Sequence, residues 1–157
     1  MRIKGLIDED FVQYKVPSMT IMTCQCSFKC DKECGMQVCQ NSKLATANII
    51  DIDNDIIVDR YVHNPITSSI VFSGLEPFDT FDELFLLITA FREKTDDDII
   101  IYTGYNKEEI MDKIEILKIF NNIIIKFGRF IPNQNKHYDT TLGVELASNN
   151  QYAERIS

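Results

Sequence analysis

The chain has 157 residues, 45% of them apolar and 25% charged, a composition that supports a folded core and excludes global disorder. A net charge of −8 with no lysine- or arginine-rich run excludes the electrostatic footprint of a phosphate-backbone binder, so no nucleic acid is expected as partner. The longest nearly uninterrupted apolar run, Leu84 to Phe91, falls far short of the roughly 20 residues that span a bilayer, and the charge-broken start MRIKGLIDEDFVQYK lacks an apolar signal core. One domain over residues 1–157, cytoplasmic and with no membrane partner, is expected.

In chain order, Ile3 to Leu6 and Phe11 to Tyr14 flank the acidic turn Asp8-Glu9-Asp10 and predict a short strand pair. Met19 to Thr23 is β-branched and apolar, and predicts a buried strand that runs straight into TCQCSFKCDKECGMQVCQN. A helix is expected over about Asp53 to Val62. Ser69 to Phe72, Asp98 to Thr103 and Asn122 to Phe127 are short apolar runs of the kind found in fully buried parallel strands. Between them, Thr80 and Glu83 have capping-box spacing ahead of a helical stripe of Phe81, Leu84, Phe85, Ile88 and Phe91. Asn106 and Glu109 repeat that spacing ahead of Ile110, Ile114 and Leu117. The tail, Gly128 to Ser157, is expected to close over the domain as loop and short elements.

Alternating strands and helices imply βαβ units: an α/β fold with a largely parallel sheet and helices on its outer face. In such sheets chemistry gathers at the carboxyl ends of the strands. The cysteine segment, the SGLEP after Phe72 and the TGY after Ile101-Tyr102 all fall there, so the three should face one another.

All five cysteines lie between Thr23 and Asn41. In a reducing cytosol such clustering points to metal or redox chemistry before disulfides. A structural zinc site is the plainer reading, but zinc modules usually present C-x2-C pairs, and the gaps here are one, three, three and four residues. The alternative is an iron-sulfur cluster on a strand-to-helix loop, in which three thiolates leave one iron open for another ligand.

Cys26 and Cys30 have the C-x3-C spacing that opens the cluster motif of radical S-adenosylmethionine enzymes, and Cys39-Gln40-Asn41 matches the polar-Asn sequence that follows the third cysteine in the activating proteins of anaerobic class III ribonucleotide reductases. Glu33 stands where that third cysteine usually lies. The chain resembles this family further in Ser73-Gly74-Leu75-Glu76-Pro77 (SGGEP, with Leu75 for the second glycine), Thr103-Gly104-Tyr105 (TGY), Gly128-Arg129-Phe130 (a DGxF-like segment with Phe127 in place of aspartate) and Ala147-Ser148-Asn149-Asn150-Gln151 (GS-x-NQ). These motifs occur in family order from about Gly5 to Gln151.

The resemblance implies a single radical S-adenosylmethionine domain over 1–157, a partial and open (β/α) barrel. It implies a 4Fe-4S cluster held by Cys26, Cys30 and Cys39, with Cys34 the rival third ligand and Cys24 a buried spare thiol. It also implies S-adenosylmethionine held near Ser73, Gly74, Leu75, Glu76, Thr103 and Gly104. The implied activity is reductive cleavage of S-adenosylmethionine to place a glycyl radical on the reductase large subunit, with an external electron donor such as flavodoxin. Other readings are a small radical S-adenosylmethionine enzyme with a different substrate, or a zinc-binding adaptor without enzymatic activity.

No catalytic general base is assigned, because hydrogen-atom abstraction needs none. His63 and His137 are read as surface or hydrogen-bonded residues, Tyr102 and Tyr105 as core and rim aromatics, and Asp96-Asp97-Asp98 as a solvated helix-to-strand turn.

Overall fold

The computed structural model describes residues 1–157 and is built on β1 (Arg2–Asp10), β2 (Ser18–Thr23), β3 (Ile50–Asp51), β4 (Ser69–Gly74), β5 (Asp98–Tyr102), β6 (Ile123–Phe127), β7 (His137–Asp139), β8 (Val144–Leu146) and β9 (Tyr152–Arg155). Seven strands form one mixed sheet in the order β3-β1-β2-β4-β5-β6-β9, and β7 pairs with β8 as a separate hairpin. The centre, β2-β4-β5-β6, is parallel; β1 and β9 run antiparallel at its two sides. The protein is therefore α/β. No helix is long and apolar enough to cross a membrane.

The central strands are runs of Ile, Val and Phe, residues whose branched or flat side chains suit a pleated surface covered on both sides. Alternation sends Ile70, Phe72, Ile99, Ile101, Ile123 and Ile125 to one face. There they meet helices α3 (Asn54–Val62), α4 (Phe81–Arg92) and α5 (Met111–Leu117) through Leu84, Leu87, Ile88, Phe91, Ile114 and Leu117. Val71, Ile100 and Ile124 point to the other face, where Tyr14, Leu142 and Leu146 cover them. Two short helices, α1 (Lys29–Cys34) and α2 (Ser42–Ala45), lie in and just after the cysteine segment.

The four expected buried strands and three helices form at their predicted places. The N-terminal strand pair does not. β1 is one continuous strand through Asp8-Glu9-Asp10, and its partner is β2, whereas residues 11–16 form bends that carry Tyr14 onto the bare face. The box predicted at Thr80 and Glu83 is also absent. Glu76 accepts from Phe78 N at 3.2 Å and starts a 3-10 turn at Pro77–Thr80, Thr80 Oγ1 donates to Pro77 O, and Glu83 instead accepts from Arg2 N and Arg2 Nε at 2.6 and 2.9 Å. The Asn106/Glu109 box does form, on a first turn that is 3-10. The tail supplies more than loop, since β9 extends the main sheet beside β6. The acidic turn is partly structural: Asp97 accepts from Tyr61 OH, and Asp98 accepts from Tyr14 OH and from Arg155.

Candidate metal centre

The cysteine segment leaves β2 at Thr23 and is pinned along its length. Ser27 N donates to Asp79 Oδ2 at 2.6 Å, fixing the start of the loop to the turn before α4. Phe28 takes a left-handed conformation (φ 52°) that reverses the chain into α1, and Gly35 (φ 65°) ends that helix. Asp31 Oδ1 then accepts from both Val38 N and Cys39 N at 2.8 Å. This carboxylate folds the extra residues of the loop back on α1 and returns Cys39 toward Cys26 and Cys30. Asn41 Nδ2 donates to Gly74 O, tying the end of the segment to the carboxyl end of β4.

A cavity of ≈ 430 Å³ opens on the face that the helices leave bare, at the carboxyl ends of the parallel strands. Cys26, Cys30 and Cys39 line it, as do Ser73, Gly74, Leu75, Glu76, Thr103 and Gly104. Cys24 and Cys34 do not; Cys24 is buried where β2 ends, and Cys34 closes α1.

Close approach between the strand ends depends on glycine at Gly74. Its φ of +88° is left-handed, and a Cβ there would sit 2.9 Å from Met22 Cβ and 3.0 Å from Leu44 Cδ2. At the end of β5, the position a Cβ of residue 104 would take is 3.6 Å from Cys30 Sγ, so this backbone borders the thiol directly.

Glu76 welds two of these strand ends together. It accepts from Thr103 Oγ1 at 2.7 Å, from Gly104 N at 2.8 Å and from Phe78 N. Burial pushes its carboxyl up to about 7 even against those three bonds. It is at once the turn residue that the sequence allows and a wall of the cavity.

The thiols are chemically suited to a cation. Burial pushes Cys26 up to about 12 and raises Cys30, against partial relief from the Phe28 N–H on Cys26 and the Phe130 N–H on Cys30. The nearby Glu76 carboxylate raises both further. Thiols so placed stay protonated until positive charge arrives, and binding iron releases those protons.

Two charged groups at the same strand end lie outside the site residues that the resemblance implies. Lys126 lies on β6 inside the run Ile123–Phe127 and lines the cavity, its Nζ donating to Gly128 O at 2.9 Å. A lone cation in an otherwise apolar strand was the available signal. Arg129, part of the Gly128-Arg129-Phe130 segment, grips Glu109 with both terminal nitrogens at 2.7 and 2.6 Å. Its Nε approaches Glu33 Oε1 to 3.1 Å as an ion pair, at an angle that makes no hydrogen bond. Glu33 thus links α1 to the turn after β6.

Tyr105 is a rim aromatic, donating to Asp79 Oδ1 and lying under Lys29 at 4.3 Å. Gln151 is buried; its Nε2 donates to Gly128 O and its Oε1 accepts from Ala147 N and Ser148 N, while Asn150 Nδ2 donates to Arg129 O. The terminal motif therefore braces the turn after β6. Neither histidine lines the cavity.

No three His, Cys, Asp or Glu side chains converge as one metal ion would require. Tetrahedral zinc, with bonds of about 2.3 Å, draws its sulfurs to about 3.8 Å from one another. A cubane cluster instead binds each thiolate at a different iron, so it suits thiols spread around the wall of a cavity. The donor set fits a polynuclear cluster: soft sulfur ligands, three on one cavity, with charge still to be compensated.

No curated protein and no solved structure matches the chain. The family described as the 4Fe-4S single cluster domain matches residues 17–153, from just before β2 into β9. With most of its length so matched, and three thiols on one cavity at the strand ends, the chain belongs to the 4Fe-4S single cluster domain family and is an iron-sulfur protein.

Proposed function

We propose that this iron-sulfur protein is a radical S-adenosylmethionine activase that generates a glycyl radical on the large subunit of an anaerobic ribonucleotide reductase. The observation that carries the reading is the meeting of Cys26, Cys30 and Cys39 with Ser73–Glu76 and Thr103–Gly104 around one cavity. In this reading the four parallel strands and their helices are a partial, open (β/α) barrel in a single domain, working in the cytoplasm. The helices of the core lie on one face only, so a loop of a protein substrate would reach the cavity without displacing one of them.

Cys26, Cys30 and Cys39 would hold the 4Fe-4S cluster, leaving one iron for the amino and carboxylate groups of S-adenosylmethionine. When bound, the cluster supplies one electron, delivered by an external donor such as flavodoxin, for reductive cleavage of S-adenosylmethionine to methionine and a 5′-deoxyadenosyl radical. The chain's own residues orient and shield. Ser73, Gly74 and Leu75 offer backbone at the end of β4, Glu76 holds that end against Thr103 and Gly104, and Asp31 keeps Cys39 at the cavity. Hydrogen-atom transfer to the nucleoside radical requires no side-chain base.

A second reading, a small radical S-adenosylmethionine enzyme acting on another substrate, draws on Leu75 and Phe127, which depart from the resembled motifs. Both are tested together. Reduced, cluster-loaded protein is mixed with S-adenosylmethionine and the reductase large subunit, and a glycyl radical signal is expected by electron paramagnetic resonance. Methionine and 5′-deoxyadenosine formed without that signal would favour the second reading. Stoichiometric zinc with no iron-sulfur absorption after anaerobic reconstitution would overturn both.

A further inference from the structure

The turn after β6 stands against the Cys30 thiol. A Cβ at residue 104 would lie 3.6 Å from Cys30 Sγ and 3.9 Å from Arg129 Cγ, so one point at the end of β5 touches both side chains. Phe130, the next residue, donates its N–H to the same sulfur. Arg129 is only 5% exposed, and its guanidinium packs 5.9 Å from the centre of the Tyr105 ring. Glu109 takes both terminal nitrogens, and Glu33 on α1 approaches a buried Nε that has no hydrogen-bond partner.

An ion pair does not need this burial. Arg60 pairs with Asp8 in the same chain while both stay exposed. Burial instead removes the water that would screen the charge, so Arg129 acts more strongly on the charges around it. Cys30 lies within that reach: burial raises its thiol, and the Arg129 charge pulls against the rise. Reduction of an iron-sulfur cluster adds one negative charge to it, and its potential follows net charge, hydrogen bonds to the sulfurs and solvent exposure. A buried cation beside a ligating sulfur therefore favours the reduced form, and a neighbouring carboxylate disfavours it.

We propose that Arg129 sets the reduction potential of the cluster, holding it above the value that the surrounding carboxylates alone would impose, with Glu109 and Glu33 trimming the effect. Arg129 does not line the cavity, so it acts on the cluster through Cys30 rather than on a ligand. The proposal rests on Cys30 as a cluster ligand and needs neither S-adenosylmethionine nor a protein substrate.

The test is an anaerobic redox titration of the cluster-loaded chain without S-adenosylmethionine, followed by the electron paramagnetic resonance signal of the reduced cluster. Arg129→Gln should lower the midpoint by ~59 mV or more, a tenfold fall in the ratio of reduced to oxidised cluster at fixed potential. Arg129→Lys, which keeps the charge, should recover most of that loss. Glu109→Gln and Glu33→Gln break the same ion pairs from the other end, and each should shift the midpoint upward. Glu33→Gln should shift it less, because that side chain is 59% exposed and its charge is screened. A latch that only held the loop in shape would shift the Arg129 and Glu109 variants in one direction, since both lose the same contact. Shifts of one sign, or an unchanged midpoint in loaded Arg129→Gln, overturn the proposal. Should Arg129→Gln not retain a cluster, the two glutamate variants decide it, and a midpoint that stays put or falls in both overturns it. Full retention of the cluster by Cys30→Ala would instead overturn the ligand assignment and the proposal with it.

Discussion

The two faces of the sheet come from the same strands and have opposite chemistry. On β6, Ile125 faces the helices and Lys126 faces the cavity; on β4, Phe72 joins the helix-side core and Ser73 lines the cavity. The helix side gathers 21 buried apolar residues in one cluster, whereas the other face has six, so most of the hydrophobic stabilisation lies beneath the helices. The cavity side instead buries a carboxyl raised to about 7 and an ammonium lowered to about 8, both disfavoured by burial in their charged forms. A strand with period two can carry both tasks, because neighbouring residues never compete for one environment. Changes on the cavity face should therefore affect cluster and ligand, and changes beneath the helices should affect folding.

The largest effect that would break this division is at the thiols. Cys39→Ala should abolish retention of the cluster, measured as iron and sulfide per chain after anaerobic reconstitution, while Cys34→Ala should load normally. Loss of cluster from Cys34→Ala with retention in Cys39→Ala would show that the cavity-lining thiols are not the ligand set. Next in size is Phe72→Ala, which empties a fully buried site beneath the helices. Its expected cost is about 3–5 kcal/mol in denaturant unfolding of the cluster-free chain. A loss under about 1 kcal/mol would mean that the helix-side cluster is not the main source of stability.

How much of this could be read from the letters depends on how local the cause was. The Ile-rich runs predict the four parallel strands because each is a continuous buried segment with its own turn signals. The Asn106/Glu109 box forms because its partners are three residues apart and the Glu109 carboxylate accepts from the Asn106 N–H alongside Arg129 and Lys29. Thr80 loses its role to Glu76, just upstream, and Glu83 is taken by Arg2 from 81 residues away, a competitor that no local window contains. The stretch 11–14 has strand-like letters, but Tyr14 is drawn onto Val71 and Ile100 and its hydroxyl to Asp98. Of the site, the strand-end segments and the thiols were legible as motifs. The closing bond of Asp31 on Cys39 was not, since it depends on the path of the inserted loop. Lys126 is hidden in an apolar run whose letters predict a strand buried alike on both faces.

The smallest predicted effect lies on the latch between α1 and the sheet, where Glu109 takes Arg129 through two bonds and Lys29 at 3.1 Å. The Arg129 guanidinium, with help from the Asn106 N–H and Lys29, holds the Glu109 carboxyl down to about 2 from its ordinary 4.5. A carboxyl depressed in the folded state binds fewer protons there than in the unfolded chain. Its contribution to stability is complete above about 4.5 and drains away as the pH falls toward 2. Glu109→Gln removes that contribution at every pH, so the wild type should be the more stable of the two at neutral pH and the gap should close on acidification through this window. The check is a pair of denaturant titrations of the cluster-free proteins at stepped pH. A gap that stays constant from neutral pH down to 2 would mean that Glu109 acts by packing rather than by charge. The latch joining the cluster loop to the sheet would then be indifferent to the arginine that grips it.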